Sequence, residues 1–482
     1  MLPMTIAPAS RAGLPARFAL LLLLLLAGFA LRLEQLPRES LWRDEVDSIR
    51  FAQAPWETVL GNFGRPGENG PLYHLMLRGW LAGAGVSDLA LRAFSVLAGV
   101  LLLAVLYRLA RRLLGPRPAL VALLLLVVSP VLIWYAGEGK MYSLQPLLIA
   151  SALLALSARR WLAFAGLMAA ATFVHVLSPL ALPVAFVWGL VLRRSGARVP
   201  VRAAVLAGLA ILPVAVPLLG VWWRGANLGH PPVGLAAMFS RSLALWAFGP
   251  AQPELVGLPW AGLLVVGAGL LGLAAFGATA AGPRTAAVLV AWLLAPLAGL
   301  AVVSARVPLY EPRYLAWCAP ALSLLVAAGL NALRPRALRG AALIAVLGLA
   351  ALGVLAQRME PIRPDNRAAA AWLGARAAPA DAAVFVIPYG RHPFEHYLTQ
   401  PLPFGVVEGA YVNGGDEAAA ERAVSAVLAP ALAPGRRVWL VETEPWMWDA
   451  GGTHARWLAA HGRIVERLEV HGVTVTGYDI ER

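Results

Sequence analysis

Long apolar runs, separated by short polar segments, occupy the chain up to about residue 357. A run of roughly 20 apolar residues can cross the hydrocarbon core of a membrane as a helix. Only helices and closed barrels satisfy their backbone hydrogen bonds inside lipid. The pattern therefore predicts a polytopic α-helical membrane protein with about 11 spans. These spans are 15–33, 88–107, 118–135, 143–158, 161–175, 179–192, 203–222, 256–278, 285–303, 315–332 and 340–357.

Every second loop between the predicted spans contains arginine and no acidic residue, and all acidic residues fall on the opposite side. Short basic loops mark the cytoplasmic side of a membrane. The pattern predicts a multi-pass membrane protein with a cytoplasmic N-terminus, whose first apolar run is a retained helix and not a signal peptide. The formal net charge of +14 then reflects topology anchors that face anionic lipid, so no nucleic-acid partner is expected.

The chain becomes more polar after residue 357. We divide it into a membrane module at 1–357, with a large first outside loop at 34–87, and an extracytoplasmic soluble α/β domain at 358–482. The tail pattern predicts helices and strands that alternate. The helices are expected at 366–377 and 416–428, with Asp416 as an N-cap, and the strands at 383–388, 438–441 and 470–478, the last at a sheet edge.

The composition narrows the candidate chemistry. Hydrophobic residues make up 60% of the chain, and the one cysteine, Cys318, excludes an intramolecular disulfide and a cysteine-based metal site. A single lysine, Lys140, stands among 40 basic residues. Because this chain otherwise uses arginine, a lysine at one particular place is a candidate functional residue.

Four polar motifs lie on the predicted outer side. In the first, Asp44 and Glu45 follow span one. A carboxylate at the membrane surface can take a proton from an attacking hydroxyl, which contributes a factor of about 10²–10⁴ in rate. The alternative is an acidic pair that stabilises a helix start.

The second motif is a Gly- and Pro-rich segment at 64–74 that offers Asn69, Tyr73 and His74. It predicts either a binding loop or a tight turn that enters a surface helix. The third is at 134–142, where an extended segment would point Glu138, Lys140 and Tyr142 to one side. There a cation could stabilise a leaving phosphate, or the lysine could simply snorkel to the interface.

The fourth motif, at 306–314, contains Glu311, Arg313 and Tyr314. Arg313 suits bidentate contact with a phosphate, although an ordinary ion pair with Glu311 is the alternative. His175 at the end of span five and Arg241 in a long outer loop are weaker candidates for substrate contact. His392, Glu395 and His396 spell a zinc-peptidase pattern that we attribute to chance.

The order of the motifs at 42–45, 69–73, 138–142 and 311–314 resembles that of the GT-C glycosyltransferases. The similarity is to the bacterial branch of the dolichyl-phosphate-mannose protein mannosyltransferase superfamily. The lipid A aminoarabinose transferase and the lipopolysaccharide-core transferases of rhizobia belong to that branch. The resemblance covers about residues 15–357.

This resemblance implies a polyprenyl-phosphate sugar donor, an active site on the outer face and inversion of the anomeric centre. By the same resemblance, Asp44 matches the acidic residue of the first loop that is taken as catalytic, and Glu45 is its neighbour in that motif. Lys140 stands where many members have arginine, and Arg313 matches the basic residue of the late motif. Many members have His-Pro-Pro where this chain has Asn69, Gly70 and Pro71.

We therefore expect a glycosyltransferase whose acceptor is a glycan, a lipid or a protein. No cofactor is required by the sequence, although carboxylates near a phosphate could hold a divalent ion. A lipid flippase or solute transporter is the first alternative, but transporters place ionisable groups near the bilayer midplane. A non-catalytic assembly protein of the cell envelope is the second.

Overall fold

The computed structural model describes residues 14–62, 70–196, 201–225, 231–250, 260–359, 361–398, 401–414, 416–431 and 436–480. Two compact units make up the chain. The first consists of Met1–Leu36 with Ala54–Met359, and the second of Pro37–Gln53 with Glu360–Arg482. The sequence did not predict that part of the first outside loop packs with the tail.

The first unit is a bundle of helices. Its helices are α1 Leu14–Leu33, α3 Trp56–Gly61, α4 Pro71–Ala84, α5 Asp88–Leu114, α6 Pro116–Val127, α7 Pro130–Ala136, α8 Leu144–Ser157, α9 Trp161–Val174, α10 Leu182–Arg194, α11 Val201–Arg224, α12 Leu235–Phe248, α13 Trp260–Ala281, α14 Pro283–Ser304, α15 Ala319–Ala332 and α16 Arg336–Met359. Short 3₁₀ segments at Ser178–Ala181 and Pro312–Cys318 precede α10 and α15.

Several of these helices are long and apolar enough to cross a membrane. Within the described residues, four meet the requirement on their own, and α6 with α7 adds a fifth as a pair bent by 56°. A multi-pass membrane protein follows, while the number of spans stays a prediction. The predicted continuous span at 118–135 is broken, because Pro130 starts α7 and disfavours helical backbone at Ser129.

Arg32 stabilises this break. Its fully buried guanidinium donates to the carbonyl oxygens of Leu126 and Val127 at 3.3 and 3.2 Å, and to that of Gly28 at 2.9 Å. The last carbonyl groups of a helix have no partner inside the helix, and a cation there also complements the helix dipole. The Arg32 guanidinium thus supplies hydrogen-bond donors to carbonyl groups at the bend.

The second unit is an α/β domain to which α2 (Arg43–Gln53) belongs. Its other helices are α17 Asn366–Gly374, α18 Arg391–Tyr397, α19 Glu417–Leu428 and α20 Thr453–His461. Its strands are β1 Ala382–Phe385, β2 Gly405–Glu408, β3 Arg437–Thr443, β4 Gly462–Val470 and β5 Val473–Ile480. The predicted helices and the first two predicted strands are confirmed, and Asp416 accepts the backbone N–H of Ala419 as expected of an N-cap.

The five strands form one sheet in the order β2-β1-β3-β5-β4. Strand β1 pairs in parallel with β2 on one side and with β3 on the other, and β5 runs antiparallel between β3 and β4. The strand predicted at 470–478 is confirmed as β5, but its predicted position at the sheet edge is wrong, because β5 lies between β3 and β4. Four charged residues of β4 obscured its strand pattern, and such charges are typical of edge strands because they prevent sheets from pairing with each other.

Candidate active site

A buried turn between α7 and α8 carries the third motif. The Lys140 N–H donates to the Glu138 carbonyl at 2.7 Å, and the Ser95 hydroxyl of α5 donates to the Lys140 carbonyl at 3.1 Å. Gly139 is required here, because a Cβ atom would lie 2.5 Å from the Leu91 side chain. The predicted extended segment is therefore wrong: two glycines allow tight turns that fit against α5.

Lys140 is buried at this turn, with only 4% of its surface exposed. Glu138 and Tyr142 are buried as well. Within the part of the chain that the structure describes, no carboxylate forms an ion pair with Lys140. Burying a cation is costly unless an anion lies beside it, so an anionic group bound next to Lys140 would be stabilised.

Two histidines lie within the electrostatic influence of Lys140. Burial, together with the charge of Lys140, lowers the pKa of His74 to about 3. His74 is therefore neutral at physiological pH and adds no positive charge. The charges of Arg313 and Lys140 both act on His175. The structure thus brings together four of the predicted site residues, Lys140, Arg313, His74 and His175.

Aromatic rings connect the third and fourth motifs. The ring centroids of Tyr135 and Tyr142 are 5.2 Å apart, those of Tyr142 and His175 are 6.1 Å apart, and those of His175 and Tyr314 are 5.6 Å apart. The Leu177 N–H donates to His175 Nδ1 at 3.2 Å, so Nδ1 is an acceptor and the ring proton lies on Nε2. His175 thus presents a hydrogen-bond donor within this row of rings.

The second motif enters the bundle through α4. Tyr73 is fully buried, and its ring lies edge-on to that of His74 at 5.4 Å. Gly70 precedes the helix at a close approach, since a Cβ atom would lie 1.9 Å from the Phe173 carbonyl oxygen of α9. Asn69 lies outside the described residues.

The fourth motif is held by hydrogen bonds to neighbouring helices. The indole N–H of Trp246 donates to the Leu315 carbonyl at 2.9 Å, and the Tyr310 hydroxyl donates to the Met238 carbonyl at 2.8 Å. Glu311, Arg313 and Tyr314 are half-buried on this fixed segment. Arg241 is exposed on α12, and its charge acts on Tyr310.

The first motif belongs to the second unit, where its two acids have different surroundings. Glu45 is fully buried, accepts the Trp42 N–H at 3.4 Å and lies 3.8 Å from the Arg363 guanidinium. Asp44 is partly exposed and pairs with Arg43 at 3.1 Å. Glu45 therefore stabilises the start of α2, whereas Asp44 is the acid with access to solvent.

A dense set of hydrogen bonds holds this motif to the tail. Glu39 accepts the backbone N–H groups of Ile362 and Arg363 at 2.9 and 3.2 Å. The Leu41 N–H donates to the Tyr397 hydroxyl at 2.6 Å, and the Asn366 amide donates to the Leu41 carbonyl at 3.1 Å. Sequence reasoning missed Arg363 and Asn366, because nothing near them in the chain indicates that they bind the first loop.

The histidine and glutamate pattern that resembles a zinc-peptidase motif, His392, Glu395 and His396, lies on α18. His392 Nδ1 is 3.0 Å from an Asp47 carboxylate oxygen, and Glu395 pairs with Arg391 at 3.3 Å. Across the described ranges, no three His, Cys, Asp or Glu side chains are grouped so that they could hold a metal ion.

The chain is similar to known proteins over most of its length. Two crystal structures of ArnT from Cupriavidus metallidurans, in the apo state and bound to undecaprenyl phosphate, match with TM-scores of 0.62 and 0.60. Each match has 14% sequence identity and covers 96% of this chain and 98% of the ArnT chain. The chain has the GT-C fold. An oligosaccharyltransferase from Archaeoglobus fulgidus also matches, with a TM-score of 0.54 and 14% identity over 96% of this chain and 73% of its own.

The family model of dolichyl-phosphate-mannose-protein mannosyltransferases matches residues 68–223. This range contains Tyr73, His74, Lys140 and His175. The resemblance predicted from the motifs is confirmed, as is a mostly helical fold with a small C-terminal sheet domain. The family and the similar structures are glycosyltransferases. No curated protein matches the sequence.

Proposed function

We propose that this protein transfers a sugar from a polyprenyl-phosphate donor to a hydroxyl group of an extracytoplasmic glycan, lipid or protein. The observation that carries the proposal is the buried Lys140, which has no ion-pair partner within the described residues. It lies in a cluster with Arg313, His175 and the neutral His74. The ArnT structure bound to undecaprenyl phosphate supports a lipid-phosphate ligand for a chain of this fold.

The cationic cluster would stabilise the leaving group. As the bond between the sugar C1 and the phosphate oxygen breaks, negative charge develops on the lipid phosphate. Lys140 and Arg313 would bind that charge, and the arginine fork suits two phosphate oxygens. Charge stabilisation in a water-excluded site is commonly the largest single contribution to catalysis.

Asp44 is the proposed base. It would accept the proton of the acceptor hydroxyl while the hydroxyl oxygen forms the new bond to C1 from the face opposite the leaving phosphate. The attack from that side inverts the anomeric centre. Glu45 is fully buried against Arg363, so its proposed role is to fix the helix that carries Asp44.

The proposed contacts to the donor sugar are side chains that supply hydroxyl and carboxylate groups near the cationic cluster. They are Tyr73, Glu138, Tyr142, Glu311 and Tyr314. We place the active site and the tail on the extracytoplasmic side of the bacterial inner membrane. The alternation of arginine-rich loops supports this orientation.

The proposal is tested by transfer of radiolabelled sugar from polyprenyl-phosphate donors in membranes that contain the wild type or Asp44→Asn. The matched control is Arg117→Gln, which removes an exposed charge in the first turn of α6. We expect transfer by the wild type and the control and loss of about 10²-fold or more in Asp44→Asn. Undiminished transfer by Asp44→Asn would remove Asp44 as the base, and no transfer by the wild type from any donor would favour a transporter or assembly role.

A further inference from the structure

Aromatic residues follow each of the three parallel strands in the second unit. Tyr389 follows β1, Tyr411 follows β2, and Trp446 and Trp448 follow β3. The carboxyl ends of parallel strands meet at one edge of a sheet, which is where ligands bind in open α/β sheets. The Trp448 ring lies 5.7 Å from Tyr389 and 5.2 Å from Tyr411, both in edge-to-face geometry.

The outer members of this aromatic edge are not needed by the domain core. Trp446 is 64% exposed and Tyr411 is 59% exposed. The two buried clusters of the domain contain neither side chain. Neighbouring exposed aromatic side chains on a soluble domain indicate a binding surface.

The loops that carry these aromatic residues are fixed to each other. The Val412 N–H donates to the Trp448 carbonyl at 3.0 Å, and the Asn413 amide donates to the Trp446 carbonyl at 2.8 Å. The Asn413 side-chain oxygen accepts the Ala450 N–H at 2.7 Å. A ligand would therefore meet a preorganised surface and lose little affinity to loop ordering.

Polar groups lie beside the aromatic edge. The Arg43 guanidinium stacks on Tyr389 at 4.5 Å, and the charges of Asp44, Asp47 and Glu444 act on the same tyrosine. Glu444 adopts left-handed backbone with φ 49°, a conformation that non-glycine residues rarely hold except where the surroundings require it. A cleft lined by Trp42, Arg43, Tyr389 and Glu444 opens here.

Aromatic faces next to carboxylates match the chemistry of a sugar chain. The C–H face of a sugar ring is apolar and covers an aromatic ring, while its hydroxyl groups donate to carboxylate oxygens. Asp44 pairs with Arg43 and Asp47 with Arg50, which leaves a small negative net charge with Glu444 that disfavours an anionic lipid surface. We propose that the carboxyl edge of β1, β2 and β3 is a subsite for the carbohydrate part of the acceptor. This assignment of the ligand as acceptor rests on the proposed function.

Glycan binding can be measured without any sugar transfer. The detergent-solubilised full-length protein is applied to immobilised oligosaccharides of defined linkage, in the absence of donor. The variants are Trp446→Ala and Tyr411→Ala, and the control is Ile464→Ala, which truncates an exposed apolar residue on the distant edge strand β4. We expect the wild type and the control to bind at least one oligosaccharide, and each aromatic variant to bind it about tenfold more weakly.

Transfer kinetics provide the second readout. With the bound oligosaccharide as acceptor, the aromatic variants should raise KM for the acceptor and leave kcat and KM for the donor close to those of the wild type. Absence of oligosaccharide binding by the wild type, or equal binding by the aromatic variants, overturns the subsite. Because binding needs no donor, a subsite that binds glycan in a protein without transferase activity would contradict only the proposed function.

Discussion

The burial of Glu45 makes a quantitative prediction about the segment that carries Asp44. In Glu45→Gln, the Arg363 guanidinium loses a buried anionic partner at 3.8 Å, while Glu39 remains 3.9 Å away. Removing one member of a buried ion pair costs about 3–5 kcal/mol. Since Glu39 remains, we take the lower value of about 3 kcal/mol, which corresponds to roughly 100-fold in an equilibrium constant.

Hydrogen exchange of the full-length protein in detergent measures this effect. We expect the amides of α2 in Glu45→Gln to exchange about 100-fold faster than in the wild type, because release of the segment from its unit becomes easier. The double variant Glu45→Gln with Arg363→Met should recover part of the protection, since the Arg363 charge is removed together with its fully buried partner.

The matched control is Glu466→Gln in the same unit. Glu466 pairs with Arg376 at a shorter distance of 2.8 Å, but the glutamate side chain is 38% exposed. Exposed pairs contribute at most about 1 kcal/mol, so exchange near β4 should rise less than about fivefold. If Glu466→Gln has the larger effect, or if α2 in Glu45→Gln exchanges as in the wild type, burial does not decide the strength of these pairs.

Three further variants test the fold and the charges around the site. Gly70→Ala should lower thermal stability in detergent by about 1–3 kcal/mol or more, because its Cβ would meet the Phe173 carbonyl. Gly79→Ala, in the helix that follows Gly70, should be neutral or stabilising, because a Cβ there meets nothing within 4 Å, and equal effects of the two variants would refute the close approach. Burial alone would raise the pKa of Asp449, but hydrogen bonds from His454 and Thr453 outweigh it and hold that pKa well below its usual value. The stability that Asp449 contributes is therefore present above about pH 3.9 and is lost as the pH falls below that value. Asp449→Asn should lower the melting temperature at pH 7 and weaken the fall in melting temperature at acid pH. A pH profile that the substitution leaves unchanged contradicts this. The pKa of His74 is lowered to about 3 in the folded protein, so below about pH 6.5 the histidine takes up a proton in the unfolded chain but not in the folded one. Stability should therefore fall as the pH drops from 7 to 5, and His74→Gln should flatten this dependence of the melting temperature on pH. A steeper or unchanged profile in His74→Gln contradicts a neutral histidine.

Features with a local signal could be predicted from the sequence. Asp416 was predicted as an N-cap because an acidic residue directly precedes a helical pattern, and its side chain accepts the Ala419 N–H at 2.6 Å. Lys140 was singled out because the chain has no other lysine, and its burial without a counter-ion in the described residues fits that emphasis. Its role in the reaction stays a prediction.

Features that depend on distant parts of the chain could not be predicted. Glu45 and Arg363 are separated by the whole bundle in sequence, and no periodicity links the first loop to the tail. The break at Ser129 and Pro130 was hidden because apolar residues continue on both sides, and the hydrophobic pattern alone cannot distinguish one bent span from one straight span. Strand β4 was missed because its charged residues resemble a solvent-exposed segment.

Binding of undecaprenyl phosphate to the purified protein tests the central claim most directly. The compared proteins are the wild type, Lys140→Met and Lys140→Arg, with Arg117→Gln as the control for an exposed cation. A lost hydrogen bond to a charged group costs about 1.5–3 kcal/mol, so we expect binding by Lys140→Met to be roughly 10- to 100-fold weaker, with partial retention in Lys140→Arg and none of this loss in the control. Equal affinity of Lys140→Met and the wild type would contradict a phosphate site at the buried lysine.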